Sequence, residues 1–196
     1  THAAETATGR RLSIDGDLRF TVLPTPALRA SGVRLSNIDG AQSPDMLTLK
    51  EVRIRVSIAE LFRKRIAVES IQLVEPVITL EVLADGRASW DFAINLGGDD
   101  SKSGLIKTTG DAGVAISLAS LTITKGVVSY RNGAQVEHIE NINAEIAAGS
   151  LHGPFTATLS ALVRGVPIEA TLRTNIVRAN QPIGINSAVA ITGLKS

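Results

Sequence analysis

Residues 47–58 alternate apolar and polar side chains: Val52, Ile54, Val56 and Ile58 stand against Glu51, Arg53, Arg55 and Ser57. Successive side chains of a strand point to opposite faces, so this run reads as a strand with one dry and one wet face. Charges at every second position predict an antiparallel sheet solvated on one side. Residues 155–163 repeat the pattern, with Phe155, Ala157, Leu159, Ala161 and Val163 against Thr156, Thr158 and Ser160. Composition extends the reading to the whole chain: 44% of residues are hydrophobic but only 3% aromatic, so the apolar content is almost all aliphatic. Side chains of that kind suit a pleated, half-buried surface. Further strand-like runs cover residues 11–23, 28–35, 66–73, 77–83, 115–125, 127–131, 136–147, 168–176 and 183–192.

Breakers and turns divide these runs. Gly16 suggests a bulge or turn inside the first, and Pro24 and Pro26 end it. Residues 37–45 read as a loop. Ser57 and Glu60 form a capping box that predicts a short helix over residues 58–64. Pro76 cannot donate to a ladder and is expected at an edge, a bend or a strand start. Asp85-Gly86 and Asn132-Gly133 are tight-turn pairs, and Gly165-Val166-Pro167 is a further connection. Trp90 and Phe92 are among the few large aromatics able to anchor a module. Residues 97–113, rich in Gly, Ser, Asp and Lys, read as a flexible linker. The expected organisation is a β module over residues 11–96, the linker over 97–113, and a second β module over 114–196 that continues the sheet. Thr1 in place of an initiator Met, and the strand-like pattern at the chain's end, lead us to expect a piece of a longer protein.

The two sides of the linker echo one another at an offset of 50. Ile71, Leu73, Val77, Ile78 and Leu80 align with Leu121, Ile123, Val127, Val128 and Tyr130, and Pro76 aligns with Gly126. This predicts one strand–bend–strand unit used twice along an extended sheet.

An ordered series of motifs adds a resemblance. Gly16-Asp-Leu-Arg-Phe20 leads through Pro24 and Pro26 to Val33-Arg-Leu-Ser-Asn37. The alternating strand and its short helix follow. Then comes Arg65-Ile-Ala-Val-Glu-Ser-Ile-Gln-Leu-Val-Glu-Pro-Val-Ile-Thr-Leu80, and after it Asp85-Gly-Arg-Ala-Ser-Trp90. This series resembles the N-terminal region of the AsmA family, best over residues 11–92, with Ser89 where Asn is usual. The resemblance implies a periplasmic segment of a protein anchored in the inner membrane of a Gram-negative bacterium by a helix outside this chain. It also implies kinship with bridge-like lipid-transfer proteins, whose curved β-sheet holds acyl chains on an apolar face. The implied role is phospholipid transport and outer-membrane homeostasis.

Other chemistries find little support. Twenty basic residues balance 19 acidic ones, so no basic face recommends nucleic acid. The chain has no cysteine, which excludes disulfides and thiolate chemistry. His2, His138 and His152 lie far apart, outside any ligand spacing. Asp15 and Asp17 flank Gly16, but calcium needs more oxygens than these supply. Glu75 and Glu81 read as charges on a solvated face. No nucleophile, phosphate-loop or dinucleotide motif occurs, so an enzyme is not expected, nor a cofactor or a metal. No apolar run approaches the roughly 18 residues that span a bilayer.

The fold expected is therefore mainly β: an antiparallel, curved, open and groove-like sheet with one or two short helices. Val52, Ile54, Val56, Leu73, Ile78, Leu80 and Leu159 are the candidate lipid-facing positions. Arg53, Arg55, Arg63, Lys64 and Arg65 are candidates for head-group or membrane contact, against the plainer reading of a solvated strand face and a polar helix end. A β-sandwich would show the same two-faced strands with the dry faces closed on each other. The expected partner is phospholipid or its acyl chains. The alternative is an envelope scaffold or assembly factor that binds protein partners through sheet edges.

Overall fold

The computed structural model describes residues 10–62, 67–91, 117–148, 154–175 and 185–191. Phe92, the 97–113 linker, His2, His152 and the basic run Arg63, Lys64 and Arg65 lie outside the described residues. Among the described residues ten strands form one open sheet. They are β1 (Leu12–Ile14), β2 (Leu18–Thr21), β3 (Ala27–Ser36), β4 (Asp45–Val56), β5 (Ala67–Val82), β6 (Ser117–Asn132), β7 (Gln135–Ala148), β8 (Phe155–Val163), β9 (Val166–Thr174) and β10 (Ile185–Ile191). Spatial order follows chain order, with β1 and β2 side by side along the same edge of β3. The helix behind the capping box, α1 (Ile58–Phe62), links β4 to β5. Among the described residues every extensive contact between elements joins hydrogen-bonded neighbours. The molecule is thus a single layer, and the two-layer sandwich is excluded for these strands.

Every pairing is antiparallel except β5 with β6, which run parallel. That corrects the wholly antiparallel expectation. Parallel neighbours need a long crossover to return the chain to the same end, and residues 83–116 provide it. The register of this pair is the offset already visible in the sequence. Ile71 lies beside Leu121, Leu73 beside Ile123, Val77 beside Val127, Ile78 beside Val128 and Leu80 beside Tyr130. The two copies of the unit thus stack on each other.

A crease crosses the sheet at one level. Gly32 in β3 has φ of 61°, Glu75 in β5 49°, Lys125 in β6 54° and Asn141 in β7 50°. Non-glycine residues seldom take such values. Gly16 lies at the same level between β1 and β2, where a Cβ would come within 2.5 Å of Ser31 Oγ. At the crease the apolar positions step by three residues instead of two: Ala30 to Val33, Leu49 to Val52, Leu73 to Pro76, Ile123 to Gly126, Ile139 to Ile142. The added residue keeps the dry face dry on both sides. Ala30, Val33 and Leu49 accordingly share one buried cluster, with Leu47, Val52 and Leu73 packed against it. The Asn143 carboxamide repairs the ladder there. Its Oδ1 accepts the Lys125 N–H at 3.1 Å, and its Nδ2 donates to the Asn141 carbonyl at 3.0 Å. Bulges leave such groups unpaired and bend the strand.

Pro76 sits at this bend, fully buried in the middle of the sheet. Residues 66–73 and 77–83, expected as two strands, therefore form one, and so do 115–125 and 127–131. Gly126 is its complement on β6. A Cβ there would lie 3.2 Å from Pro76 Cγ, 3.1 Å from Ile123 Cγ2 and 3.3 Å from Ile142 Cβ. The bare glycine makes room for the proline ring of the neighbouring strand.

Candidate functional site

Register assembles the dry faces of the strands into continuous apolar rows. One row runs Leu18, Ala30, Val52, Leu73, Ile123, Ala144, Leu159, Ala170, Val189 across β2 to β10. The next runs Phe20, Leu28, Ile54, Ile71, Leu121, Ile146, Ala157, Leu172. Beyond the crease a third runs Leu12, Leu35, Leu47, Ile78, Val128, Ile139, Val163. Each row follows from in-register pairing, because opposed residues share a face. Strand spacing of about 4.8 Å makes the surface about 40 Å wide.

Three of the predicted lipid-facing residues, Val52, Leu73 and Leu159, therefore stand in one row. Ile54 lies in the second row, and Val56 lies beyond it opposite Val68. Ile78 lies in the third. Leu80 is two residues further on, in a row that passes Tyr130 and ends at Glu137, where the apolar surface stops. Sequence reasoning missed Leu18, Phe20, Ile71, Leu121, Ile146, Leu172 and Val189. For Ile71 and Leu121 the offset-50 echo was the available signal; for the others only the register is informative.

No second layer covers this face among the described residues. Its central side chains are half-buried by one another. Leu159 and Leu172 are each 38% exposed. An open hollow of about 480 Å³ across β6 to β9 is lined by Ile123, Ala144, Leu159 and Ala170 and by the flanking Thr122, Thr124, Asn143, Glu145, Thr158, Ser160, Glu169 and Thr171, whose side chains point to the other face.

The opposite face is polar in the same ordered way: Arg19, Arg29, Arg53, Gln72, Thr122, Glu145, Thr158 and Thr171 form one row. Glu51 is buried on it, clasped by Arg29 and Arg53. Burial alone would push this carboxyl up, but hydrogen bonds from the two guanidiniums outweigh it and hold it below the usual carboxylate range. Arg53 is therefore ion-paired rather than a free cation. Arg55, opposite Ala27 and Ser70, is exposed and has no ion pair among the described residues.

Glu81 departs from its expected solvated setting and is only 3% exposed. Its carboxylate accepts the N–H groups of Gln42 and Ser43 at 2.9 and 2.8 Å and an Asn37 amide N–H at 3.4 Å. It thus ties the loop between β3 and β4 to the end of β5. Ser89 is fully buried beside it, its Oγ accepting the Glu81 N–H at 2.9 Å. Trp90 then rests on Tyr130 of β6, ring centres 5.9 Å apart. Glu75 is half-exposed and pairs with Lys50 at 2.7 Å. His138 is exposed on β7.

Among the described residues no three His, Asp or Glu side chains are grouped to share a metal ion. No helix among them is long and apolar enough to cross a membrane. What the arrangement offers chemically is one broad aliphatic surface with almost no hydrogen-bonding groups.

Comparison with protein families gives a match to the AsmA family over residues 1–181. No curated protein and no solved structure matches.

Proposed function

Because the chain belongs to the AsmA family, whose members are typically envelope-associated, we propose that it is a non-catalytic lipid-binding segment of a periplasmic protein anchored in the inner membrane. Its apolar face carries phospholipid acyl chains, and its role lies in phospholipid transport and outer-membrane homeostasis. The observation that carries this reading is the single-layer sheet with a continuous aliphatic face that no second layer covers among the described residues. Water on such a surface is unfavourable by about 25 cal/mol for each Å². Acyl chains suit it because they ask for no hydrogen bonds. The face rises about 23 Å along the strands from Ile71 to Ile78, at about 3.3 Å per residue. One leaflet of bilayer hydrocarbon is about 15 Å deep, so an acyl chain fits within it.

Native mass spectrometry with lipid extraction tests the proposal on protein purified from a bacterial host. We expect stoichiometric phospholipid. Leu159→Asp, at a part-exposed position of the central row, lowers lipid occupancy several-fold and leaves the fold intact, while Thr158→Asp on the opposite face changes nothing. A folded protein free of lipid, or equal lipid in both variants, overturns the reading.

One observation favours a second reading. Among the described residues β10 pairs only with β9, and all seven of its residues are exposed. An unpaired edge of this kind templates strand addition, as an envelope scaffold or assembly factor would require. Protein partners held through β10 in lipid-free protein would favour it.

A further inference from the structure

We propose that the corner of the sheet formed by β2 and the loop from Val22 to Pro26 docks on the surface of an anionic phospholipid bilayer. Leu18, Phe20, Val22 and Leu23 are 60%, 67%, 57% and 72% exposed. They follow one another along an edge strand and out to a loop tip. On the other face of the same strands Arg19, Arg29 and Arg53 stand directly opposite one another across β2, β3 and β4, with Arg55 in the adjacent row. Like charges in register repel. Within β2 to β4 this group is met by two carboxylates, Asp17 on Arg19 and Glu51 between Arg29 and Arg53. Four guanidiniums against two carboxylates leave a surplus of two positive charges, which an anionic surface relieves.

The corner thus has apolar side chains on one side of a strand and guanidiniums on the other. This is the division that seats an amphipathic element at a lipid interface, its apolar side chains below the head groups and its cations among them. The far edge separates this from mere exposure. In β10, Ile185 and Val189 are 62% and 66% exposed, yet their strand carries no cation, and the nearest charges on β9 are Glu169 and Arg173, one of each sign. Of the two edges, as far as the described residues go, it is this corner that joins exposed apolar groups to a cationic surplus. Docking of this kind does not depend on lipid in the apolar face, so either proposal can fail alone.

Sedimentation with large unilamellar vesicles reads it out. The protein is expected to pellet with vesicles containing phosphatidylglycerol, weakly with phosphatidylcholine alone, and less as salt rises. Leu23→Asp is expected to weaken binding about tenfold, the effect of losing one buried aliphatic side chain and adding a charge. Arg55→Glu, a separate exposed change on the other face, is expected to remove the preference for phosphatidylglycerol. Ile185→Asp on β10, also exposed and outside the rows of the candidate site, is the matched control and leaves binding unchanged. Circular dichroism confirms that each variant is folded. Absence of binding to anionic vesicles, wild-type binding by Leu23→Asp or by Arg55→Glu, or an equal loss in Ile185→Asp overturns the proposal.

Discussion

Glu51 shows how one residue's surroundings reverse its sequence reading. It stands at a polar position of an alternating strand, yet it is buried because Arg29 and Arg53 close over it. Its carboxyl is held below the usual value, near 4.3 for a free glutamate, by hydrogen bonds that outweigh its burial. A group whose folded value is depressed adds stability above its unfolded value and loses it as pH falls through the folded one. Glu51→Gln should therefore melt below wild type at neutral pH, where Arg29 and Arg53 lose their shared anion. The gap should narrow as pH drops below about 4.3, where wild type loses its advantage. Asp85, through the N–H and guanidinium of Arg87, and Glu137, through Arg164, are also held low. The wild-type minus variant difference in thermal melts across pH isolates Glu51 from them; a constant gap would contradict the assignment. The alternation of residues 47–58 revealed the polar face but not this clasp, since Arg29 comes from another strand.

At the scale of elements, β5 and β6 are two copies of one unit in parallel register, and Pro76 against Gly126 is their joint. Both residues look like strand breakers in isolation. Together they are complementary shapes: the ring fills space that a side chain on β6 would take. Gly126→Ala places a methyl 3.1 to 3.3 Å from three carbon atoms. Overpacking of this kind typically destabilises by about 1–3 kcal/mol. We expect a lower urea midpoint with an unchanged slope, and a wild-type midpoint would show that the pair gives without strain. The offset of 50 was legible in the sequence because the same faces are repeated. That it meant stacking of the copies was not, since an echo states likeness and not adjacency. The crease was also hidden. Of Glu75, Lys125 and Asn141 only the asparagine is of a type that favours positive φ, and only their alignment across strands shows one line.

At the scale of the whole molecule, every extensive contact between elements among the described residues joins sheet neighbours. Stability should therefore grade from the centre outward, as in architectures built from nearest-neighbour interfaces. Amide exchange is expected to be slowest in β4 to β7 and fastest in β2 and β10, the latter exposed along its full length; uniform protection would show a cover over the sheet. The sequence by itself determined that this chain makes strands with one aliphatic and one polar face, where its principal turns fall, and that one unit occurs twice. Those properties are local, set by a period of two and by the chemistry of glycine, proline and β-branched side chains. Only the tertiary structure decided that the dry faces form one open layer instead of closing on each other. A sandwich and an open sheet impose the same alternation on each strand, and they differ only in which strands meet. Register, parallel pairing and the crease are relations between segments far apart in the chain, and these align Leu18 with Val189 in a single apolar row.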